Sequence, residues 1–280
     1  IYYMKTFGFH TIHGRANAVA TGVKVANPDL SVWVCTGDGD SLAIGGNHFI
    51  HAIRRNVDLN CILFNNEIYG LTKGQYSPTT KLGKVTKTSP YGTIEKPFNP
   101  GELVIGAHGT FFARSIDAEV NLTTECMVAA SKHDGLSVIE VLVNCMIFNN
   151  GTHKAFAGDK EVRAEHTITL RQGEKMLFGK NMDKGLMLDN MKLKVVTVGE
   201  NGVTLDDILV HDAHEKDTMV HVMLASMKYP DFPVALGIIR DVAEPTYERE
   251  VARQIAEVQA TAKIKNVDDL LNSGETWEVE

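Results

Sequence analysis

Short apolar runs alternate along the chain with stretches of helical spacing. Residues 16–27 are rich in Ala and Val with one interruption at Gly22, a pattern that predicts a helix packed closely on a neighbour, ended by Asn27-Pro28-Asp29. Ser31-Val32-Trp33-Val34-Cys35-Thr36 is short, apolar and β-prone, so a strand follows and runs into Gly37-Asp38-Gly39-Asp40. Residues 42–56 predict a second helix. Leu59-Asn60-Cys61-Ile62-Leu63-Phe64 then reads as a second buried strand, closed by Asn65-Asn66. A strand, a crossover helix and a strand make the two strands parallel neighbours with a right-handed connection.

Residues 69–100 carry many Gly and Pro and too little apolar periodicity for regular structure; a segment of this length inside a compact domain is usually functional or disordered. The alternation resumes with 102–108, a strand at 110–114, a helix near 120–132 and a strand at 136–143. The first half is therefore expected to be α/β, a doubly wound, mostly parallel sheet. From about residue 150 the pattern changes. Residues 166–170 and 175–178, separated by Arg171-Gln172-Gly173-Glu174, look like a hairpin, and 194–198 like a further strand. Val251, Ile255, Val258 and Ala262 recur at helical spacing, so 247–263 is an amphipathic helix suited to packing. The expected division is a main domain over 1–150 and a smaller β-containing C-terminal extension over 151–280.

At 280 residues, 44% of them apolar, the chain can bury a core of that size. A formal net charge of -7 argues against a nucleic-acid surface, which needs clustered Lys and Arg, and points to metabolites and other proteins as partners. Arg54-Arg55 falls late in a predicted helix, where cations complement the dipole. No run of about 18 uncharged apolar residues and no signal-peptide pattern occurs, so a soluble, cytoplasmic chain without a membrane partner is expected. Cys35, Cys61, Cys126 and Cys145 contain no Cys-x-x-Cys pair and give neither a disulfide framework nor a complete metal site. The opening Ile1-Tyr2-Tyr3-Met4 reads like the middle of a domain, so the sequence is expected to lack its own beginning.

The residues with chemistry lie where the strands end. Asp38 and Asn66, one crossover apart, are delivered to the carboxyl edge of the sheet, where open α/β folds bind ligands. A carboxylate, an amide oxygen and the backbone carbonyl of Ile68 are hard donors suited to Mg²⁺, with phosphate oxygens and water completing the shell. Glycines beside Asp38 allow close approach of a diphosphate. Gly-Asp-Gly alone also marks an ordinary loop; placement of both halves at successive strand ends, followed by a Gly-rich loop, favours a site.

Gly-Asp-Gly followed by Asn-Asn resembles the thiamine diphosphate fingerprint. The stretch from Gly37-Asp38-Gly39-Asp40-Ser41-Leu42-Ala43-Ile44-Gly45-Gly46 is similar to the beta subunit of 2-oxoacid:ferredoxin oxidoreductases, most of all those acting on 2-oxoglutarate. So are Asn66-Glu67-Ile68-Tyr69-Gly70-Leu71-Thr72-Lys73-Gly74-Gln75, Thr11-Ile12-His13-Gly14-Arg15-Ala16, Ser89-Pro90-Tyr91-Gly92 and Asn144-Cys145 with Phe148-Asn149. The resemblance implies a sheet of the thiamine diphosphate-binding type and oxidative decarboxylation of a 2-oxoacid to its acyl-CoA, with electrons passing to ferredoxin. It implies Mg²⁺ on Asp38, Asn66 and Ile68, with Gly37, Gly39, Asp40, Gly70, Leu71 and Thr72 lining the cofactor. His13 and Gly14 would approach it from another strand end, His13 acting in proton transfer or standing as a backbone-bonded loop histidine. Arg15 and Lys73 are candidates for the substrate carboxylates. Cys145 corresponds to a ligand of a [4Fe-4S] cluster whose other ligands belong to an N-terminal segment; one thiolate cannot hold a cluster. An alpha subunit and coenzyme A complete the implied partners. A non-redox thiamine diphosphate decarboxylase or synthase, and a subunit inactive without its partner, are the alternatives.

Overall fold

The apolar runs become strands and the periodic stretches become helices in the computed structural model, which describes residues 4–275, 277 and 279. Ile1 to Tyr3 of the opening lie outside the described residues. In chain order come α1 (Ala16–Ala26), β1 (Trp33–Gly37), α2 (Gly46–Arg55), β2 (Asn60–Asn65), α3 (Pro100–Gly106), β3 (Phe111–Ile116), α4 (Val120–Ala130) and β4 (Ser137–Leu142). They are followed by α5 (Lys154–Ala157), α6 (Lys160–His166), β5 (Thr167–Leu170), β6 (Leu177–Phe178), β7 (Lys184–Asp189) and β8 (Lys192–Thr197). The chain closes with α7 (Met219–Ser226), β9 (Val234–Asp241), α8 (Tyr247–Thr261) and α9 (Val267–Leu271).

The main sheet has the order β1-β2-β4-β3-β9-β5. β1 to β4 are mutually parallel, β9 runs against β3, and β5 lies parallel to β9. Strand alternation sends neighbouring side chains to opposite faces. Cys61, Leu63 and Phe112 pack with Phe49 and Ile53 of α2, Val104 of α3 and Leu224 of α7. Ile62, Phe111 and Ala113 pack with Leu122, Cys126 and Ala130 of α4 on the other face. Helices on both faces of a mostly parallel sheet make the doubly wound architecture that the patterning predicts. A smaller antiparallel sheet, β6-β7-β8, supplies the β-containing extension.

The expected hairpin is corrected by the pairing. Glu174 N–H does donate to the Arg171 carbonyl at 3.1 Å, so the chain turns there. Its two sides nevertheless join different sheets: β5 pairs with β9 from Thr167↔Val234 to Leu170↔Gly237, and β6 pairs with β7. In the main sheet Ile168 and Leu170 become buried, whereas a lone two-stranded ribbon is marginal in water and leaves one face wet. β9 itself is an apolar run that the sequence pattern left unassigned. Gly237 within it has φ 94, and a Cβ there would sit 2.6 Å from the Leu170 carbonyl oxygen, so only glycine lets β5 come this close. The main sheet thus takes β5 and β9 from beyond residue 150.

The helix expected over 42–56 is also split. Asp40–Ile44 form one wide, π-type turn in which Gly45 N–H donates to the Asp40 carbonyl at 3.0 Å, and α2 takes over at Gly46. Such widened turns occur preferentially at functional sites. α8 leaves Ile255 and Val258 of its apolar stripe exposed.

Candidate functional site

β1 and β2 end level with one another, Gly37 beside Phe64, so Asp38 and Asn65-Asn66 leave the same sheet edge together. Asp38 is only 2% exposed. Its Oδ2 accepts from Ser77 Oγ at 2.6 Å and from Thr79 Oγ1 at 2.5 Å. Burial pushes this carboxyl above the ordinary carboxylate range, and the two hydroxyls pull against the rise without cancelling it. Asn66 Oδ1 accepts from Ile68 N–H at 3.1 Å. The Ile68 carbonyl accepts no hydrogen bond from the described residues. Glu67, between them, lies past the end of β2 at φ 55 and turns its carboxylate to Thr152 and to Lys81, 3.3 Å away.

Asp40 is occupied by protein partners. Its Oδ1 accepts from Gly14 N–H at 2.6 Å and lies 2.6 Å from His13 Nδ1, and its Oδ2 accepts from Thr36 Oγ1 at 2.7 Å. It therefore ties the His13-Gly14 segment to the end of β1. The partner of His13 is this carboxylate rather than backbone, its side chain is 54% exposed, and its ring centroid lies 6.0 Å from that of Tyr69. The Tyr69 hydroxyl donates to the Gly39 carbonyl at 2.7 Å, and the space a side chain at Gly39 would need holds the Tyr69 ring, 2.4 Å from a built Cβ. Around Gly37 a Cβ would meet nothing nearer than the Phe64 carbonyl at 4.0 Å, which leaves that backbone open. Gly39→Ala should thus lower stability by about 1–3 kcal/mol through overpacking. Adding Tyr69→Ala should recover part of that loss in thermal melts; strictly additive losses would contradict the contact.

Gly70 to Lys73 form a tight turn, with Lys73 N–H on the Gly70 carbonyl at 3.1 Å and Lys73 at φ 73. Leu71, Thr72 and Lys73 are exposed, and the Thr72 hydroxyl bonds to the Gln75 amide oxygen inside the turn. None of the three hydrogen-bonds to Asp38. A Cβ at Gly70 would lie 3.7 Å from Cys145 Sγ and 4.0 Å from Asn66 Nδ2, so the turn, the cysteine and the amide meet at one point. Arg15 is exposed and reaches the Ile44 carbonyl at 3.5 Å. Neither Arg15 nor Lys73 is drawn into the polar centre.

Burial pushes the thiols of Cys61 and Cys126 up to about 12, which makes them poor thiolates. Cys145 is the thiol beside the motif. Among the described residues no group of three or more His, Cys, Asp or Glu could hold a metal ion, and no helix is long and apolar enough to cross a membrane.

Sequence reasoning missed the polar residues behind the motif. Ser77, Thr79 and Thr80 come from the irregular 69–100 segment, and their hydroxyl-dense Ser-Pro-Thr-Thr run was the available signal. Behind them Asn65 Nδ2 donates to Glu140 Oε1 at 2.8 Å, and Glu140 pairs with Arg114 at 2.7 Å, both buried.

This sheet with its strand-end motif is that of a thiamine pyrophosphate enzyme, and residues 2–141 match the family of thiamine pyrophosphate enzymes, C-terminal TPP binding domain. Over its whole length the chain is 44% identical to the 2-oxoglutarate oxidoreductase subunit KorB of Mycobacterium tuberculosis, of which it spans 74%. Over 49% of its length it is 51% identical to the 2-oxoglutarate synthase subunit KorB of Archaeoglobus fulgidus, a stretch that is 51% of that protein. Its structure superposes, with a TM-score of 0.74 and 27% identity, on 2-oxoglutarate:ferredoxin oxidoreductase from Magnetococcus marinus with 2-oxoglutarate, coenzyme A and succinyl-CoA bound. That match covers 98% of this chain and 78% of the other. The chain belongs to the beta subunits of the 2-oxoacid:ferredoxin oxidoreductases.

Proposed function

We propose that this chain supplies the thiamine diphosphate and Mg²⁺ site for oxidative decarboxylation of a 2-oxoacid, 2-oxoglutarate, to its acyl-CoA, with ferredoxin as electron acceptor and an alpha subunit as partner. The observation that carries the reading is the buried Asp38 carboxylate at the end of β1, with the Asn66 amide and the Ile68 carbonyl, which accepts no hydrogen bond from the described residues, leaving the same sheet edge. The donor set suits Mg²⁺: all three are hard oxygens, and a carboxylate raised by burial is relieved by a cation. Asp38, Asn66 and the Ile68 carbonyl would hold the metal. Gly37 and Gly39, with Gly70, Leu71 and Thr72 of the facing turn, would border the diphosphate and thiazolium.

Thiamine diphosphate, when bound, supplies the electron sink for loss of CO₂. The chain's own residues position and shelter that centre. Asp40 acts one step back: it holds His13 and Gly14 against the strand end, and His13, half-exposed near Tyr69, would serve in proton transfer. Arg15 and Lys73 offer cations to the substrate carboxylates from the rim. The bound 2-oxoglutarate, coenzyme A and succinyl-CoA of the Magnetococcus marinus structure support the choice of substrates.

A [4Fe-4S] cluster takes four thiolates, and the described residues bring Cys145 alone to the site, so they do not by themselves fit a cluster and no step is assigned to one. The second reading is a non-redox decarboxylase or synthase, which uses the same thiamine diphosphate site and needs no cluster. With 2-oxoglutarate, coenzyme A and the partner subunit present, the first reading predicts acyl-CoA formation matched by reduction of ferredoxin. Release of CO₂ with an aldehyde or condensation product and no acceptor reduction would overturn it in favour of the second.

A further inference from the structure

Resting on that reading of the metal site, we infer that Ser77 and Thr79 are positioning residues that aim the Asp38 carboxylate at the metal, and that the 77–80 loop holds the two halves of the motif in register. Both hydroxyls reach one oxygen, Oδ2 of Asp38, at 2.6 and 2.5 Å. Each hydroxyl has a single proton to donate. Thr79 Oγ1 is also 3.0 Å from Asn65 Oδ1, but its proton goes to the nearer, charged oxygen, because charge-assisted bonds are the stronger. Oδ2 is thereby taken by the two hydroxyls, and Oδ1, which accepts no side-chain hydrogen bond among the described residues, is the oxygen assigned to a cation.

The same short run grips the other strand end. Thr80 Oγ1 donates to the Glu67 carbonyl at 2.7 Å and accepts from Ser77 N–H at 2.7 Å. Thr79 touches Asn65, whose amide orientation is fixed by Glu67 N–H on Oδ1 at 3.2 Å and by Nδ2 on Glu140 at 2.8 Å. Ser77, Thr79 and Thr80 are all buried, so water does not replace them. One loop therefore brackets Asp38 on one side and the Asn65-to-Ile68 segment on the other, and it fixes the separation of the carboxylate from the amide and carbonyl donors. Outer partners of metal ligands act in this way, by setting the angle at which the ligand meets the ion.

The test compares Mg²⁺ half-saturation for thiamine diphosphate binding, by calorimetry on the purified chain, in the wild type, Ser77→Ala/Thr79→Val, Thr79→Val and Thr79→Ser. The double variant should need roughly 10- to 100-fold more Mg²⁺, yet bind the same amount of cofactor once Mg²⁺ saturates. Thr79→Val, close in shape, should shift in the same direction, and Thr79→Ser, which keeps the hydroxyl, should return to the wild-type value. If the double variant does not fold, the two single variants decide. Wild-type Mg²⁺ half-saturation in folded Thr79→Val, or an equal shift in Thr79→Ser, overturns the positioning role while leaving the metal site standing. Wild-type cofactor binding that ignores Mg²⁺ overturns the metal site itself, and the positioning role with it.

Discussion

Asp38→Asn is expected to abolish Mg²⁺-dependent binding of thiamine diphosphate and at the same time to stabilise the metal-free protein at neutral pH. The amide keeps an oxygen for the Ser77 and Thr79 hydroxyls, so the local packing survives. It lacks the charge that burial penalises. The sign follows from the direction of the shift: a carboxyl raised in the fold contributes stability below its unfolded value and loses it as pH rises through the folded one. At neutral pH the ionised group therefore opposes folding of the empty site. Thermal melts in EDTA from about pH 4 to about pH 8 should show variant and wild type converging at the acid end, with the variant melting higher at the neutral end. Mg²⁺ affinity should fall by more than about 100-fold, beyond the loss typical of an outer-shell partner. A variant that melts lower than wild type at neutral pH without metal would contradict the account of a carboxylate waiting for a cation.

The largest loss of stability is expected from Arg114→Met. Arg114 lies on β3 with Nε on Glu140 Oε2 at 2.7 Å, and with Nη2 on Asn99 Oδ1 at 3.2 Å and on the Ala225 carbonyl at 3.3 Å. Both members of the pair are buried in the middle of the sheet. Removing the cation leaves Glu140 as an uncompensated buried charge, which costs about 3–5 kcal/mol. Replacing both, as Arg114→Met/Glu140→Leu, should recover only part of that loss, because no charge is left to desolvate but the buried Asn65 Nδ2 loses its acceptor. Urea denaturation measures both variants. A single-variant loss below about 1 kcal/mol, the range of an exposed ion pair, would contradict the burial argument.

Much of the first half was legible in the chain because each signal is local. β1 and β2 are short, mostly apolar runs closed by glycine and by asparagine, and that punctuation put Asp38 and Asn66 at strand ends. What escaped depends on partners distant in sequence. The turn at Arg171 to Glu174 was read correctly, but whether its arms pair with each other or leave for other sheets is decided by β9, more than sixty residues on from β5. Ser77 and Thr79 lie in a segment without periodicity, and only its fold brings them to an aspartate on another element. Likewise the resemblance put Asp40 beside the cofactor, and only the fold shows that His13, Gly14 and Thr36 bond to it. Composition carries no trace of such pairings.

The central claim is tested most directly by calorimetric titration of thiamine diphosphate into the purified chain, first with Mg²⁺ and then with excess EDTA. Saturable binding with Mg²⁺ that disappears with EDTA is the predicted result; no binding with Mg²⁺, or binding that EDTA leaves unchanged, would contradict it.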